Sequence, residues 1–422
     1  MLKLCAAFLL LLLALCGAAW AADSYDGCKV YDINTRSVFE KELLLRLSQN
    51  ADLDFFILPR SLDAASRVMV QPQDQQGFEQ LLQKFDVDYV VVNEDLGVSL
   101  RQEQLENQSQ RLMAQRSASR AISFTAFHRH AEINAYLDEL AAAYPSRVSV
   151  QVAGKSYENR DIKTITISNG DGRSGKSVIF LDAGIHAREW IAHAGALYVI
   201  HQLVDNFAAN SALLKNYDWV ILPVVNPDGY EYSHTSNRMW RKTRKPVSSA
   251  CYGTDGNRNF DYHWGEVGTS SDSCADTFKG ETAFSEPETR LVRDLLLSLR
   301  SRGKFYLTLH SFGNYLLFPY GWTSALPVSW RDIDDVAQAG AAAIRAATGT
   351  KYTVGSSTNA LYAAAGGSDD YAFAVADFPI SITMELPAGG TGFNPTTAQI
   401  LPYVQETWVG IKAMAQKVVD KY

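Results

Sequence analysis

A histidine, an arginine and a glutamate lie close together in the stretch GIHAREW, at His186, Arg188 and Glu189. The stretch follows SVIFLDAG (177–184), a near-continuous apolar run typical of a buried strand. In α/β sheets, ligand sites gather beyond the carboxyl ends of the strands. The position of these side chains therefore favours a site, although an H-x-x-E spacing alone is more often a surface ion pair.

A second histidine follows another strand-like run in the same way. His310 comes directly after FYLTL in the run KFYLTLHS (304–311). Alone it would more often be a hydrogen-bonded core residue. Together with His186 and Glu189 it completes a set of two imidazoles and one carboxylate, which is the ligand set of a catalytic zinc site with one open position.

A metal site that cleaves bonds also needs a base and hydrogen-bond donors. Glu385 lies inside the apolar run ISITMEL (380–386), where an unpaired carboxylate is costly to bury. It either pairs with a cation or faces a cleft and accepts a proton from water at the metal. Arg241 and the pair Asn257-Arg258 offer planar donors for a carboxylate or an oxyanion, although each arginine alone reads as a surface residue.

The elements that must position these side chains are those of an α/β domain over residues 121–422. Four near-continuous apolar runs predict central strands covered on both faces: 177–184, 218–226, 304–311 and 380–386. Helical patterns over 192–207 and 286–300 lie between these runs. The prediction is a mixed, mostly parallel central sheet with helices on both faces.

Residues 22–100 predict a separate, small α+β domain. Its patterns follow the order β-α-β-β-α-β, which is the ferredoxin-like arrangement: strand 28–33, helix 38–49, strands 54–58 and 67–71, helix 76–85 and strand 88–92. Residues 101–120 predict a connecting segment, with a long, polar, exposed helix over 99–115. Arg116 and Arg120 follow in a stretch of small residues, where a trypsin-like protease would cut, although the segment also reads as a solvated linker.

Residues 1–21 predict a secretory signal peptide, because Lys3 precedes an apolar run too short to span a bilayer. A membrane anchor is the alternative. In a secreted chain, Cys251 and Cys274 are expected to form a disulfide, with two free thiols as the alternative, and Cys28 is left without a role. Any N-glycan would be attached at the Asn107-Gln108-Ser109 sequon.

The charge balance argues against a nucleic-acid partner. The formal net charge is −7, and the chain has no basic run resembling a nucleic-acid patch. We likewise expect no membrane partner and a monomeric protein.

From about residue 121 onward the sequence resembles the pancreatic-type metallocarboxypeptidases, and residues 22–120 resemble their activation segment. The motifs that carry this resemblance, in order, are GIHAREW, NPDGY, RMWRKTR, GNRNF, LHSFGNYLLFPYG, LYAAAGGSDDYAF and TMEL. The resemblance covers essentially the whole secreted chain and implies a zymogen.

The resemblance implies a role for each site residue. It makes His186, Glu189 and His310 the ligands of one zinc ion, with Asp255 as the carboxylate that orients the first histidine. Glu385 would be the general base, and Arg241 would polarise the scissile carbonyl. The remaining matches contact substrate: Asn257, Arg258 and Tyr362 clamp its C-terminal carboxylate, and Arg188 is an accessory carboxylate contact. Tyr362 lies on a loop rich in Gly and Ala, which suits a side chain that closes over substrate.

Asp369, in GGSDDY, lies where the family has the floor of its specificity pocket. A carboxylate there implies preference for C-terminal Lys or Arg, as in the carboxypeptidase B branch. Alternatively, Asp369 turns away or caps a turn beside Asp370. Ser357, near the pocket wall, is small enough for a long cationic side chain.

The sequence therefore predicts a secreted zymogen that a trypsin-like protease activates and whose substrates are peptides with a free C-terminus. The first alternative keeps this chemistry with an A-like preference for apolar or aromatic C-termini. The second is a non-catalytic relative that binds peptides, which should have lost a metal ligand or the base. In this sequence all three candidate metal ligands and the candidate base are present.

Overall fold

The computed structural model describes residues 25–48, 50, 52–60, 62, 65–116 and 122–422. The predicted signal peptide and Arg120 lie outside these ranges. Within them, no helix has both the length and the apolar character needed to cross a bilayer.

The first unit is a four-stranded antiparallel sheet with two helices packed on one face. Its elements are β1 (Lys29–Asn34), α1 (Val38–Leu47), β2 (Leu53–Ile57), β3 (Ala65–Val70), α2 (Pro72–Lys84) and β4 (Tyr89–Asn93). The strand order is β2-β3-β1-β4. Strand residues alternate between faces: Tyr31 and Ile33 pack with the helices, whereas Val30 packs against Phe393 of the second unit. The predicted β-α-β-β-α-β order is confirmed.

A long helix, α3 (Leu96–Arg116), leads out of the first unit. A helix was predicted over 99–115, and the predicted domain boundary between residues 100 and 101 lies inside it. Leu96 and Leu100 pack between the two units, and Glu103 and Asn107 are also buried. The polar sequence of the helix had suggested that all of its faces are exposed. The burial of these four residues shows that this prediction was wrong for one face.

The second unit is built around an eight-stranded sheet in the order β11-β10-β12-β9-β7-β8-β6-β5. Its elements are α4 (His130–Ala143), β5 (Val148–Lys155), β6 (Asp161–Ile167), β7 (Ser177–Ala183), α5 (Trp190–Val204), α6 (Phe207–Asn210), β8 (Tyr217–Leu222), α7 (Pro227–Thr235), α8 (Pro287–Leu299), β9 (Gly303–Ser311), β10 (Tyr315–Phe318), α9 (Trp330–Thr348), β11 (Thr353–Ser356), α10 (Ser357–Ala360), α11 (Ser368–Ala374), β12 (Ile380–Leu386) and α12 (Thr397–Lys421). The four central strands β12, β9, β7 and β8 run parallel. Antiparallel pairings join β10 to β12, β8 to β6 and β6 to β5.

Both faces of this sheet are buried, which explains the continuous apolar runs. In β7, Ile179 and Leu181 belong to a core formed with α4, α5, α9 and α12. Val178 and Phe180 belong to a second core, which is formed with α8 and α11. A strand covered on both faces has no polar alternation. The predicted mixed sheet with helices on both faces is confirmed.

Cys251 and Cys274 form a disulfide, as predicted. Cys28 is a buried free thiol in the apolar contact between the two units, near Met69 and Met239. Burial is the main cause that raises the pKa of this thiol. It therefore packs as a small apolar side chain.

Buried imidazoles should make the fold acid-sensitive. Burial lowers the pKa of His193 to about 4, although its Nδ1 lies 2.9 Å from the Pro223 carbonyl oxygen. Because the unfolded chain binds this proton near pH 6.5 and the folded chain does not, the folded state loses stability as pH falls from 6.5 towards 4. We expect a loss of about 3 kcal/mol from this group. Denaturant unfolding at pH 7 and pH 4.5 measures it, and His193→Gln should show a correspondingly weaker pH dependence. Equal pH dependence in both proteins would contradict the assignment.

Candidate active site

Two neighbouring parallel strands bring the predicted metal ligands together. Strand β7 ends before Gly184, which has φ +74°, a conformation that favours glycine and turns the chain toward His186. Glu189 immediately precedes α5, and His310 is the penultimate residue of β9. Because β7 and β9 are paired in parallel, their carboxyl ends meet at one edge of the sheet.

The three ligand side chains converge on one point. His186 Nδ1 lies 2.9 Å from Glu189 Oε1 and 3.2 Å from His310 Nδ1, and His310 Nδ1 lies 3.1 Å from Glu189 Oε2. A tetrahedral zinc ion with bonds of about 2.0–2.1 Å spaces its ligands by about 3.3 Å. All three residues are buried, and among the described residues they are the set able to hold an ion. The donor atoms and their spacing fit zinc.

Outer contacts fix the orientation of these ligands. His186 Nε2 lies 2.9 Å from Asp255 Oδ1, and the Ser311 N–H donates to Glu189 Oε2 at 3.1 Å. Arg241 donates to the other oxygen of Asp255, from Nη2 at 3.0 Å and from Nε at 3.2 Å. Although burial opposes it, the charges of Arg241 and His186 hold the pKa of Asp255 well below its usual range. Asp255 therefore orients His186 as a carboxylate and also positions Arg241.

Glu385 lies beside the ligand set, on β12, directly opposite His310 in the parallel pairing. It lines the central cavity, and its Oε2 has no hydrogen-bond partner among the described residues. Burial is the main cause that raises the pKa of Glu385, and the charge of His310 opposes it. A bound divalent ion would act in the same direction as His310. The sequence left two alternatives for Glu385, pairing with a cation or facing a cleft. In the structure its side chain faces the cavity.

A single cavity of about 570 Å³ gathers the predicted site residues. It is lined by His186, Arg188, Glu189, Arg241, Asn257, Arg258, His310, Tyr362, Asp369 and Glu385. Hydrogen bonds hold two residues of the predicted clamp: Arg258 donates from Nε to the Gly268 carbonyl at 2.8 Å, and Asn257 Oδ1 accepts from the Ser368 N–H at 2.9 Å. The first unit covers the cavity, since residues of β2 line it too.

Two adjacent carboxylates at the start of α11 have different environments. Asp370 is fully buried and accepts from the Gly321 N–H at 2.9 and 3.0 Å. Asp369 lines the cavity, is 6% exposed and lies 3.3 Å from the Ser357 hydroxyl. Burial and the charge of Asp369 raise the pKa of Asp370 well above its usual range. The sequence left open whether Asp369 caps a turn beside Asp370. In the structure Asp370 makes the hydrogen bonds to the Gly321 N–H, whereas Asp369 lines the cavity.

The sequence did not reveal which residues contact Arg188. Arg188 Nη1 lies 3.0 Å from an Asp54 carboxylate oxygen on β2 and 3.3 Å from Asp276. Burial raises the pKa of Asp54 to about 6, and Arg188 opposes this shift. The available signal was the carboxylate in the otherwise apolar strand LDFFI. The first unit thus forms an ion pair with the catalytic unit, in which Asp54 contacts Arg188 of the cavity.

The fold and site define a zinc peptidase preceded by an activation segment. The zinc carboxypeptidase family matches residues 133–410, and the carboxypeptidase activation peptide matches residues 31–103. The chain therefore belongs to the zinc carboxypeptidase family, among the members that carry an activation peptide.

Individual relatives match either the larger part of the chain or nearly all of it. Carboxypeptidase B of Astacus astacus is 44% identical over 304 residues, which are 71% of this chain and 100% of that protein. Carboxypeptidase A2 of Mus musculus is 36% identical over 420 residues, which are 97% of this chain and 98% of that protein. The crystal structure of carboxypeptidase A from Helicoverpa armigera matches with a TM-score of 0.88 at 35% identity, covering 94% of this chain and 98% of that one.

Removal of one ligand should abolish metal binding. With His310 replaced by alanine, two ligands remain, so we expect His310→Ala to lose zinc under dialysis that leaves the parent protein loaded. Metal content per chain, measured by elemental mass spectrometry, is the readout. His201→Ala, which changes a histidine outside the cavity, serves as the matched control. Stoichiometric zinc in His310→Ala would contradict the ligand assignment.

Proposed function

We propose that this zinc carboxypeptidase, once activated, removes C-terminal lysine and arginine from peptides. The observation that carries the proposal is the buried carboxylate of Asp369 in the cavity that also contains the predicted clamp and the metal ligands. The relatives carry both names, carboxypeptidase A and carboxypeptidase B. The preference for Lys or Arg therefore rests on this one side chain.

The surroundings of Asp369 suit a long cationic side chain. Ser357 beside it is small and polar, and Leu317 and Thr383 line the same cavity. A buried carboxylate without a cation is costly, and so is a buried cation without a carboxylate. A lysine or arginine side chain removes both costs when it binds, whereas a phenylalanine leaves the carboxylate unpaired.

The other site residues receive the following roles. Arg258 and Asn257, with Tyr362 closing over them, hold the free C-terminal carboxylate of the substrate, which limits cleavage to the last peptide bond. Arg241, held in place by Asp255, donates to the scissile carbonyl oxygen as negative charge develops on it. Zinc, when bound, supplies the Lewis acidity that makes water nucleophilic near neutral pH.

Glu385 then acts as the general base of this arrangement. Its free carboxylate oxygen faces the cavity beside the ligand set, so it is placed to accept a proton from the attacking water. It later returns that proton to the leaving amine. Arg188, on the path into the site, becomes an accessory contact for the substrate carboxylate once Asp54 has left.

We further propose that the chain is secreted as a monomeric zymogen and activated by a trypsin-like protease that cuts after Arg116 or Arg120. The arginine-containing stretch RSASR supports this assignment, because it begins at Arg116, the last residue of α3, and in the sequence it precedes the predicted catalytic domain. The proposed boundaries are 1–21 for the signal peptide, 22–100 for the activation domain, 101–120 for the connecting segment and 121–422 for the catalytic domain.

Four matched peptides that differ only in a C-terminal Arg, Lys, Phe or Leu test the preference. With activated enzyme, kcat/KM should be highest for the Arg and Lys peptides, by at least about 100-fold over Phe. The same peptides with an amidated C-terminus are the control and should not be cleaved. If the Phe peptide is cleaved fastest, the A-like alternative is correct.

A further inference from the structure

One face of α3 makes polar contacts with the catalytic unit. Glu103, Asn107 and Arg111 are four residues apart and so lie above one another on the helix. Glu103 forms a buried two-point ion pair with Arg238, at 2.8 and 2.9 Å, and Arg111 Nη2 lies 2.6 Å from Glu132. Asn107 lies between these two ion pairs.

The Asn107 amide makes two hydrogen bonds to one residue. Its Oδ1 accepts from the Phe127 N–H at 2.6 Å, and its Nδ2 donates to the Phe127 carbonyl at 3.2 Å. Asn107 is 6% exposed and Phe127 is 2% exposed. The side chain thus satisfies both backbone groups of a buried residue 20 positions further along the chain.

The contacts of Glu103 and Asn107 meet at Trp190 in the catalytic unit. The Phe127 ring packs edge-on against Trp190, with ring centroids 5.4 Å apart. The Arg238 guanidinium, which Glu103 holds, lies 3.6 Å from the centroid of the Trp190 ring. Trp190 directly follows the ligand Glu189 and begins α5. The connecting helix is therefore docked on the element that starts at the metal site.

We propose that Asn107 is a docking residue that fixes the connecting helix to the catalytic unit, and that its sequon carries no glycan in the folded zymogen. An N-glycan is attached to Nδ2 and must extend into solvent. Here Nδ2 is buried and donates to Phe127. A glycan would push the helix away from Phe127 and leave two backbone groups unpaired. Glycosylation at Asn107 and docking of α3 exclude each other.

Docking has a consequence for activation that rests on the proposed cleavage. Asn107 precedes Arg116, and Phe127 follows Arg120, so the two docked residues lie on opposite sides of the proposed cut sites. A cut there leaves the chain held on both sides. The docking itself does not depend on that cut or on the substrate preference.

Glycan occupancy in a zymogen secreted from eukaryotic cells tests the first part. Gly172→Asn provides a matched positive control, since it creates the sequon Asn-Arg-Ser in an exposed loop at a φ of +74°, which asparagine tolerates. We expect a glycan at position 172 of this variant and an unmodified Asn107 peptide in both proteins, by mass spectrometry. A glycan on Asn107 of the folded zymogen would overturn the proposal.

Amide hydrogen exchange of the uncut zymogen tests the docking contact. Asn107→Ala removes the sequon and the contact, whereas Ser109→Ala removes only the sequon. We expect the peptide containing Phe127 to exchange about tenfold faster in Asn107→Ala and unchanged in Ser109→Ala. Asn107→Asp, which keeps the acceptor for the Phe127 N–H, should be intermediate and serves if the alanine variant is not secreted. Equal exchange in these variants would overturn the docking role, whatever the activity of the enzyme.

Discussion

Replacing Glu385 with glutamine should lower kcat of the activated enzyme by about 10²- to 10⁴-fold, which is the range for loss of a general base, its proposed role. Glutamine keeps the size and one oxygen of the side chain but cannot accept a proton from water. The carboxylate lines the cavity beside the metal ligands, and its Oε2 is unpaired among the described residues. Steady-state kinetics on the peptide ending in Arg measures the loss.

Two control measurements separate a lost base from a lost site. Zinc content should be unchanged in Glu385→Gln, because the residues placed to hold the ion are His186, Glu189 and His310. KM should change by less than about tenfold, since the proposed clamp for the substrate carboxylate lies elsewhere in the cavity. Near-parental kcat in a zinc-loaded, folded Glu385→Gln protein would exclude Glu385 as the base.

The metal site could be predicted from the sequence because each ligand lies at the end of a strand or a few residues after it. His186 and Glu189 follow β7, His310 lies at the end of β9, and both strands are apolar enough to be recognised by composition alone. Adjacent parallel strands then bring their carboxyl ends together. The neighbours of β9 could not be predicted in the same way, because the order β10-β12-β9 depends on long-range pairing.

The contacts between the two units had no comparable signal. Burial by apolar packing leaves a periodic pattern, whereas polar docking does not. Glu103 and Asn107 therefore read as a solvated helix face, although both are buried against the catalytic unit. The contact of Asp54 with Arg188 joins residues 134 positions apart. This contact becomes visible only when the two units are placed against each other in the structure.

Replacing Asp369 with asparagine should remove the proposed preference for cationic C-termini. The two side chains have nearly the same shape, so the change removes one negative charge from a position that is 6% exposed. A substrate lysine or arginine would then bind without a counter-charge, and breaking a buried pair in this way costs about 3–5 kcal/mol. We expect kcat/KM for the Arg peptide to fall by about 10²- to 10⁴-fold.

The Phe peptide should respond in the opposite direction. In the proposed pocket its ring would lie beside a buried carboxylate that has no cationic partner, and Asp369→Asn relieves that cost, so kcat/KM for Phe should rise. Ser357→Ala is the matched control, because it changes the wall 3.3 Å from the Asp369 carboxylate without removing charge, and the ratio of Arg to Phe should move by less than about tenfold. An unchanged ratio in Asp369→Asn would mean that another group selects the C-terminal residue. Equal losses for both peptides would instead place the damage in the fold of α11, where the neighbouring Asp370 holds the Gly321 N–H.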